Sequence, residues 1–354
     1  MKQKKMGILT RDGVEVEAFA PAVLTASRAT DIPAFYSEWF FRRLEEGYCK
    51  WRNPFNGVES YVSFQNLRFI VFWSKNPAPL IPYLEKLNKR GINCYVHYTL
   101  NDYEVEGLEP GVPATGQRVE TFRQLIGILG PQGVVWRFDP MILTDNIGIS
   151  ELLQKIFFLA EKLHGYTDSL VFSFADIAGY RKVGRNLTAH GIRYEEWTEA
   201  KMREFASRLS QLNRECGWNL RLSTCAEKID LSEFGIEHSR CVDDERIARI
   251  AHSDEVLLAE LGLRIHEPSF SLFGNNDILP SDSIRLTEGM YAQRISKTKD
   301  SGQRRLCGCI NSKDIGQYNT CPHGCLYCYA NTSPESAHCN YSRHNPDSET
   351  IIIS

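Results

Sequence analysis

The sequence predicts an α/β fold, a full or partial (β/α) barrel of the TIM type. Six short apolar runs alternate with amphipathic helical stretches, the pattern of parallel strands joined by crossover helices. Polar, chemically competent residues collect just after these runs, where a parallel barrel builds its sites. A doubly wound open sheet is the alternative, but no Gly-x-Gly-x-x-Gly follows any of the runs.

The elements follow in order. Gly7–Phe19, with Arg11-Asp12-Gly13 at its middle, reads as a β-hairpin. Ala22–Ser27 is a short apolar strand, and Pro33–Glu46 is an amphipathic helix opening on proline. Strands are predicted over Arg68–Trp73, Asn93–Leu100, Val134–Phe138, Ser169–Phe174 and Asn219–Thr224. The helices between them are predicted over Ala78–Arg90, Gln117–Leu129, Ser150–His164 and Tyr194–Cys216. Asn275–Ser283 and Lys297–Gln303 are polar and turn-rich and read as loops. The expected division is a barrel core over 1–260, with a loop insertion and a cysteine-rich segment over 261–354 that completes the barrel.

Composition narrows the function. The net charge is −3, so no global basic field calls for nucleic acid or an anionic membrane. No apolar run reaches the ~18 residues of a membrane span. The basic start lacks the apolar segment of a signal peptide, and the expected location is the cytoplasm. Thiols are held reduced there, so eleven cysteines point to metal ligation rather than disulfides.

The rim stretches predicted from strand ends are Ser27–Asp31, Ser74–Asn76, Thr99–Asp102, Arg137–Pro140, Ala175-Asp176 and Thr224–Glu227. Near the end of the chain, "CPHGCLYCYAN" (321–331) sets Cys321, Cys325 and Cys328 in a C-x3-C-x2-C spacing. Three thiolates on one loop suit a 4Fe–4S cubane with one iron left open. Structural zinc, completed by a fourth thiol or His323, is the alternative. Gly324 permits a tight backbone turn, and Tyr327 and Tyr329 can wall the site from water. Cys225, Cys241, Cys307 and Cys309 form a second set, read as an auxiliary 4Fe–4S cluster, a zinc site or no shared site. Cys49, Cys94, Cys216 and Cys339 read as packing or surface residues, and His97, His164 and His323 as structural. Arg137 and Asp139 read equally as an ion pair at the rim or as ligand contacts, and Lys75 as a ligand contact or a solvated loop lysine.

The C-x3-C-x2-C loop with an aromatic before its third cysteine resembles the motif of radical S-adenosylmethionine enzymes, above all spore photoproduct lyase and its relatives. "FWSKNP" (72–77), "YTLNDYEVEGLEPGVPATGQRVETFRQL" (98–125) and "VWRFDPMIL" (135–143) extend the resemblance over roughly half the chain. The whole chain also resembles an uncharacterised bacterial domain-of-unknown-function family with a cysteine-rich end. The resemblance implies a radical enzyme holding a 4Fe–4S cluster and S-adenosyl-L-methionine, with an unknown substrate and an electron donor such as flavodoxin or ferredoxin. It places Lys75, Arg28, Thr30, Asp31, Asn101, Glu109, Arg137 and Asp139 around the cofactor, with Trp73, Tyr98 and Phe174 lining a cavity. No catalytic residue is singled out. In that family the cysteine loop normally follows the first strand. Its late position here implies a circular permutation, with Asp314–Asn319 as the strand feeding the loop. A non-catalytic cysteine-rich metal-binding barrel, holding iron–sulfur or zinc, is the competing class. Nucleic-acid repair follows from kinship alone.

Overall fold

A computed structural model describes residues 4–54, 56–266, 282–296, 298–300, 302, 303 and 305–352. Its centre is an all-parallel sheet of eight strands: β1 (Val23–Ala26), β2 (Phe69–Ser74), β3 (Asn93–Thr99), β4 (Val134–Met141), β5 (Ser169–Phe174), β6 (Arg221–Thr224), β7 (Glu237–His238) and β8 (Lys313–Asp314). The spatial order is β8-β1-β2-β3-β4-β5-β6-β7. Every strand therefore lies beside its chain neighbour except the last, which returns to pair with the first, Lys313 opposite Leu24 and Asp314 opposite Thr25. Among the described residues β7 and β8 remain the two edges, so the sheet is open and the expected barrel closure is not seen. β8 itself spans only the first residue of the predicted Asp314–Asn319 and the lysine before it.

Side-chain alternation gives the sheet two faces. Ile70 and Phe72, Val96 and Tyr98, Trp136 and Phe138, and Leu170 and Phe172 join one core with the helices Ser37–Glu46, Thr115–Leu129, Ile149–Leu163 and Glu199–Glu215. Phe69 and Val71, Tyr95, Val135 and Val171 join a second core. That face is covered by the helices Asp244–Ile250 and Glu255–Glu260 and by a three-stranded antiparallel sheet of Leu263–His266, Ser283–Thr287 and Met290–Arg294. Both faces being covered explains why the strands read as continuous apolar runs.

The structure departs from expectation for local reasons. The predicted helix Pro33–Glu46 is two, Ile32–Phe35 and Ser37–Glu46, broken at Tyr36, whose hydroxyl donates to the Thr320 carbonyl at 2.6 Å. The first half of Ala78–Arg90 is a 3-10 turn, Ala78–Tyr83, because Pro79 and Pro82 carry no N–H for an α-helical ladder. Tyr194–Cys216 turns helical only at Glu199, where Thr198 caps the helix, while Tyr194-Glu195 pairs with Leu143-Thr144. Strands Tyr48–Arg52 and Glu59–Ser63 escaped the sequence reading; with the hairpin strands Lys5–Leu9 and Glu15–Phe19 they make a four-stranded sheet. The helix Arg181–Ala189 lies between the predicted strand Ser169–Phe174 and the predicted helix Tyr194–Cys216. Of the predicted loop Asn275–Ser283, residues 275–281 lie outside the described residues and Ser283 opens a strand. Within Lys297–Gln303, Lys297 and Ser301 also lie outside them. Among the described residues no helix is long and apolar enough to cross a membrane.

Candidate functional site

The cysteine loop leaves β8 and crosses the C-terminal ends of β1, β2 and β3. Five contacts hold it there. The Thr30 hydroxyl lies 2.8 Å from the Gln317 carbonyl and 2.7 Å from the Thr320 hydroxyl. The Leu326 N–H donates to the Leu108 carbonyl, and the Gly111 N–H to the His323 carbonyl at 2.8 Å. The Tyr329 hydroxyl donates to the Arg28 carbonyl at 2.8 Å. Gly324 has φ of +67°, the left-handed turn the sequence expected between the first two thiols. Cys321, Cys325 and Cys328 are free thiols, each partly buried.

Around the thiols the structure assembles two buried polar centres. In the first, Glu109 Oε1 accepts from Lys75 Nζ at 2.8 Å, from Asn101 Nδ2 at 2.9 Å and from the Tyr327 hydroxyl. Lys75 also donates to the Tyr327 oxygen at 2.8 Å, and Arg118 Nη1 lies 3.5 Å from Glu109 Oε2. Burial pushes the Glu109 carboxyl up, but the charges of Lys75 and Arg118 outweigh it and hold the group below its ordinary range. Cys325, beside this centre, is pushed well up by burial, and Lys75 opposes that shift. In the second centre, Asp31 caps the helix Ile32–Phe35 through the Ala34 N–H, and accepts from the Ser74 hydroxyl at 2.6 Å and the Lys75 N–H at 2.8 Å. Its Oδ2 lies 2.7 Å from His323 Nε2, while His323 Nδ1 lies 3.0 Å from the Gly111 carbonyl. Burial raises Asp31, but the hydrogen bond and charge of His323 prevail and hold it below the usual carboxylate range. With both ring nitrogens facing oxygens, His323 has no lone pair directed at the thiols.

A third group lies on the sheet face covered by the helices Asp244–Ile250 and Glu255–Glu260 and the three-stranded sheet. Arg137 and Asp139 form the ion pair anticipated at the rim, with Arg137 Nε 3.1 Å from Asp139 Oδ2. Arg137 Nη1 also donates to Cys241 Sγ at 3.3 Å. Arg28 stands over the Trp73 ring at 5.1 Å, with Asp314 at 3.9 Å. The second cysteine set comes together: Cys225 Sγ lies 3.2 Å from Cys241 Sγ, and Cys309 Sγ, two residues after Cys307, accepts from the N–H of Val242, the residue after Cys241, at 3.4 Å. His97 Nε2 faces the Cys241 carbonyl at 2.7 Å; burial, reinforced by Arg137, pushes its pKa well down. Among the described residues no three His, Cys, Asp or Glu side chains are arranged to hold a metal ion.

Lys75, Asn101, Glu109, Asp31 and Thr30 thus converge on the cysteine loop, while Arg28, Arg137 and Asp139 lie beside the second thiol set. Of the aromatic residues expected to line a cavity, only Trp73 lies on that face. Tyr98 stacks on Phe122 and Phe174 packs on Trp197, both on the helix side, because strand alternation turns them away from Trp73. Sequence reasoning did not single out Arg118 or the Asp31–His323 pair. An arginine nine residues after Glu109, one helical turn into an apolar-faced helix, was the available signal for Arg118; nothing local signals a pair 292 residues apart.

The fold and the site define an α/β protein built on an open, eight-stranded parallel sheet, with a three-cysteine loop returned from the chain's end to the rim. The chain belongs to a family described as a domain of unknown function (DUF1848), whose model matches residues 23–330. The match spans β1 and the cysteine loop alike, so the late position of the thiols is part of the family's domain. No curated protein matches the chain.

Proposed function

We propose that this protein is a radical S-adenosylmethionine enzyme on a circularly permuted partial barrel, in which Cys321, Cys325 and Cys328 hold a 4Fe–4S cluster. The observation that carries the reading is the return of β8 to β1, which brings a C-x3-C-x2-C loop to the rim and into contact with the Lys75–Glu109–Asn101 centre. The donor set suits the group: three free thiols on one loop match a cubane that keeps one iron for an outside ligand. A zinc site completed by His323 fits less well, because both ring nitrogens already face oxygens.

When bound, the cluster and S-adenosylmethionine supply a 5′-deoxyadenosyl radical that removes a hydrogen atom from substrate. The chain's own groups bind and orient. Tyr327 Oη, held by Glu109 and Lys75, fixes the segment between Cys325 and Cys328. The Asp31–His323 contact fixes the segment between Cys321 and Cys325. Glu109 and Asp31, with side chains 2% and 6% exposed, serve as scaffold. Lys75, Asp139 and Arg28, at 16%, 23% and 28%, keep surface with which to meet the polar ends of a small ligand. A reduced electron donor of the flavodoxin or ferredoxin class is the partner this chemistry requires.

The test is anaerobic reconstitution with iron and sulfide, followed by reductant and S-adenosylmethionine. A brown protein that releases 5′-deoxyadenosine, and loses that release in Cys325→Ala, is expected. Stoichiometric zinc with no nucleoside product would establish a metal-stapled, non-catalytic module instead.

A further inference from the structure

We infer that Cys225, Cys241, Cys307 and Cys309 form a second metal centre, a 4Fe–4S cluster ligated by four protein thiolates. The four thiols come from three distant places in the sequence. Cys225 follows β6, Cys241 follows β7, and Cys307 and Cys309 lie on the segment leading to β8. The Ile310 N–H donates to the Val242 carbonyl at 3.1 Å, and the Val242 N–H to Cys309 Sγ at 3.4 Å, so the Cys307–Cys309 segment is stitched against the end of β7. All four are free thiols, including the pair 3.2 Å apart.

Two cations serve this group. Arg137, 3% exposed, donates to Cys241 Sγ. Arg28 stands over the Trp73 ring on the same face, and its Nη2 is buried with no hydrogen-bond partner. Several thiolates in a low-dielectric interior need such compensation. The donor set is four cysteines, the complement of a 4Fe–4S cluster. Tetrahedral zinc takes the same four thiolates, and iron and zinc analysis separates the two.

Four protein thiolates leave no open iron, so this centre moves single electrons rather than binding substrate. A chain of contacts leads from it to the first thiol set. Arg137 joins Cys241 to Asp139, the Asp139 N–H donates to Asn101 Oδ1 at 2.8 Å, and Asn101 Nδ2 donates to the Tyr327 oxygen at 3.2 Å. One electron from a flavodoxin- or ferredoxin-class donor enters the second centre and leaves for the first. This relay role rests on the cubane reading of Cys321, Cys325 and Cys328; the existence of the second centre does not.

The experiment is iron and zinc analysis with low-temperature spin resonance on the anaerobically reconstituted full chain and two variants. One is Cys321→Ala/Cys325→Ala/Cys328→Ala, which leaves all four thiols of the second set. The other is Cys307→Ala/Cys309→Ala. The wild type is expected to hold about eight irons and the first variant about four, with a reduced-cluster signal and no response to S-adenosylmethionine. The second variant is expected to keep about four irons whose signal does respond. An iron-free first variant, or one holding zinc alone, would overturn the second centre. An iron-free second variant beside an iron-loaded first would sink the reading of the C-x3-C-x2-C loop and leave the second centre standing.

Discussion

Glu109→Gln isolates the charge that holds the rim together. The substitution preserves shape and removes the carboxylate that faces two cations, Lys75 Nζ at 2.8 Å and Arg118 Nη1 at 3.5 Å. Arg118 is 2% exposed and cannot turn to water for compensation, and Lys75, at 16%, can do so only in part. Breaking a buried ion pair by removing one partner costs about 3–5 kcal/mol. A glutamine oxygen still accepts a hydrogen bond, which puts the expected loss at the lower end, about 3 kcal/mol. At roughly 2 °C per kcal/mol for a chain of this size, that is a fall of about 6 °C in Tm. The assay is denaturant and thermal unfolding of the wild type, Glu109→Gln, Lys75→Met and the double variant. Because Lys75→Met removes one of the stranded cations, the double variant should lose less than the sum of the singles, by about 1–2 kcal/mol. A Glu109→Gln protein within about 0.5 kcal/mol of wild type, or strict additivity in the cycle, would refute the argument that this carboxylate neutralises the rim.

Gly111→Ala should dislodge the cysteine loop, since a Cβ there meets the His323 carbonyl oxygen at 2.6 Å and backbone has nowhere to go; a loss of about 1–3 kcal/mol and faster alkylation of Cys321 and Cys325 in the metal-free protein are the readouts. Lys313, over the Trp51 ring at 3.2 Å, is pushed down to about 8 by burial. The unfolded chain therefore holds this proton more tightly, so stability rises with pH between about 8 and 10.5, by up to about 3 kcal/mol, and Lys313→Met should flatten that rise in unfolding measurements across the range. Asp31 titrates below its ordinary range, so its contribution is complete above the unfolded carboxylate pKa and is lost as pH falls through the lower folded value. Unfolding midpoints followed from neutral to acid pH should fall less steeply for Asp31→Asn than for wild type, and equal slopes would remove the carboxylate from the account.

Much of the parallel sheet was legible in the sequence because its strands are covered on both faces. Strands Phe69–Ser74 and Ser169–Phe174 are built on the apolar runs Phe69–Trp73 and Leu170–Phe172, and both were located to within a residue. Strands Tyr48–Arg52 and Glu59–Ser63, by contrast, carry Lys50, Arg52 and Glu59, and only pairing with the hairpin makes their pattern meaningful. The covering strands Leu263–His266, Ser283–Thr287 and Met290–Arg294 were missed for the same reason: Arg264, Arg285 and Gln293 interrupt their apolar positions. Among site residues, the C-x3-C-x2-C spacing stands in the sequence unaided. The partners of its loop do not, because Glu109 meets Tyr327 and Asp31 meets His323 across more than 200 residues of chain.

By itself the sequence determined the run of strands and helices, the polar stretches at strand ends and the three-thiol loop, all of which are local patterns of hydrophobicity, turn chemistry and spacing. Only the tertiary structure decided that β8 returns to β1, that β7 and β8 are the edges of the sheet among the described residues, and that Cys225 and Cys241 meet beside Arg137. Those outcomes depend on which distant surfaces exclude water together and which buried charges find partners, and neither is written in any short stretch of chain.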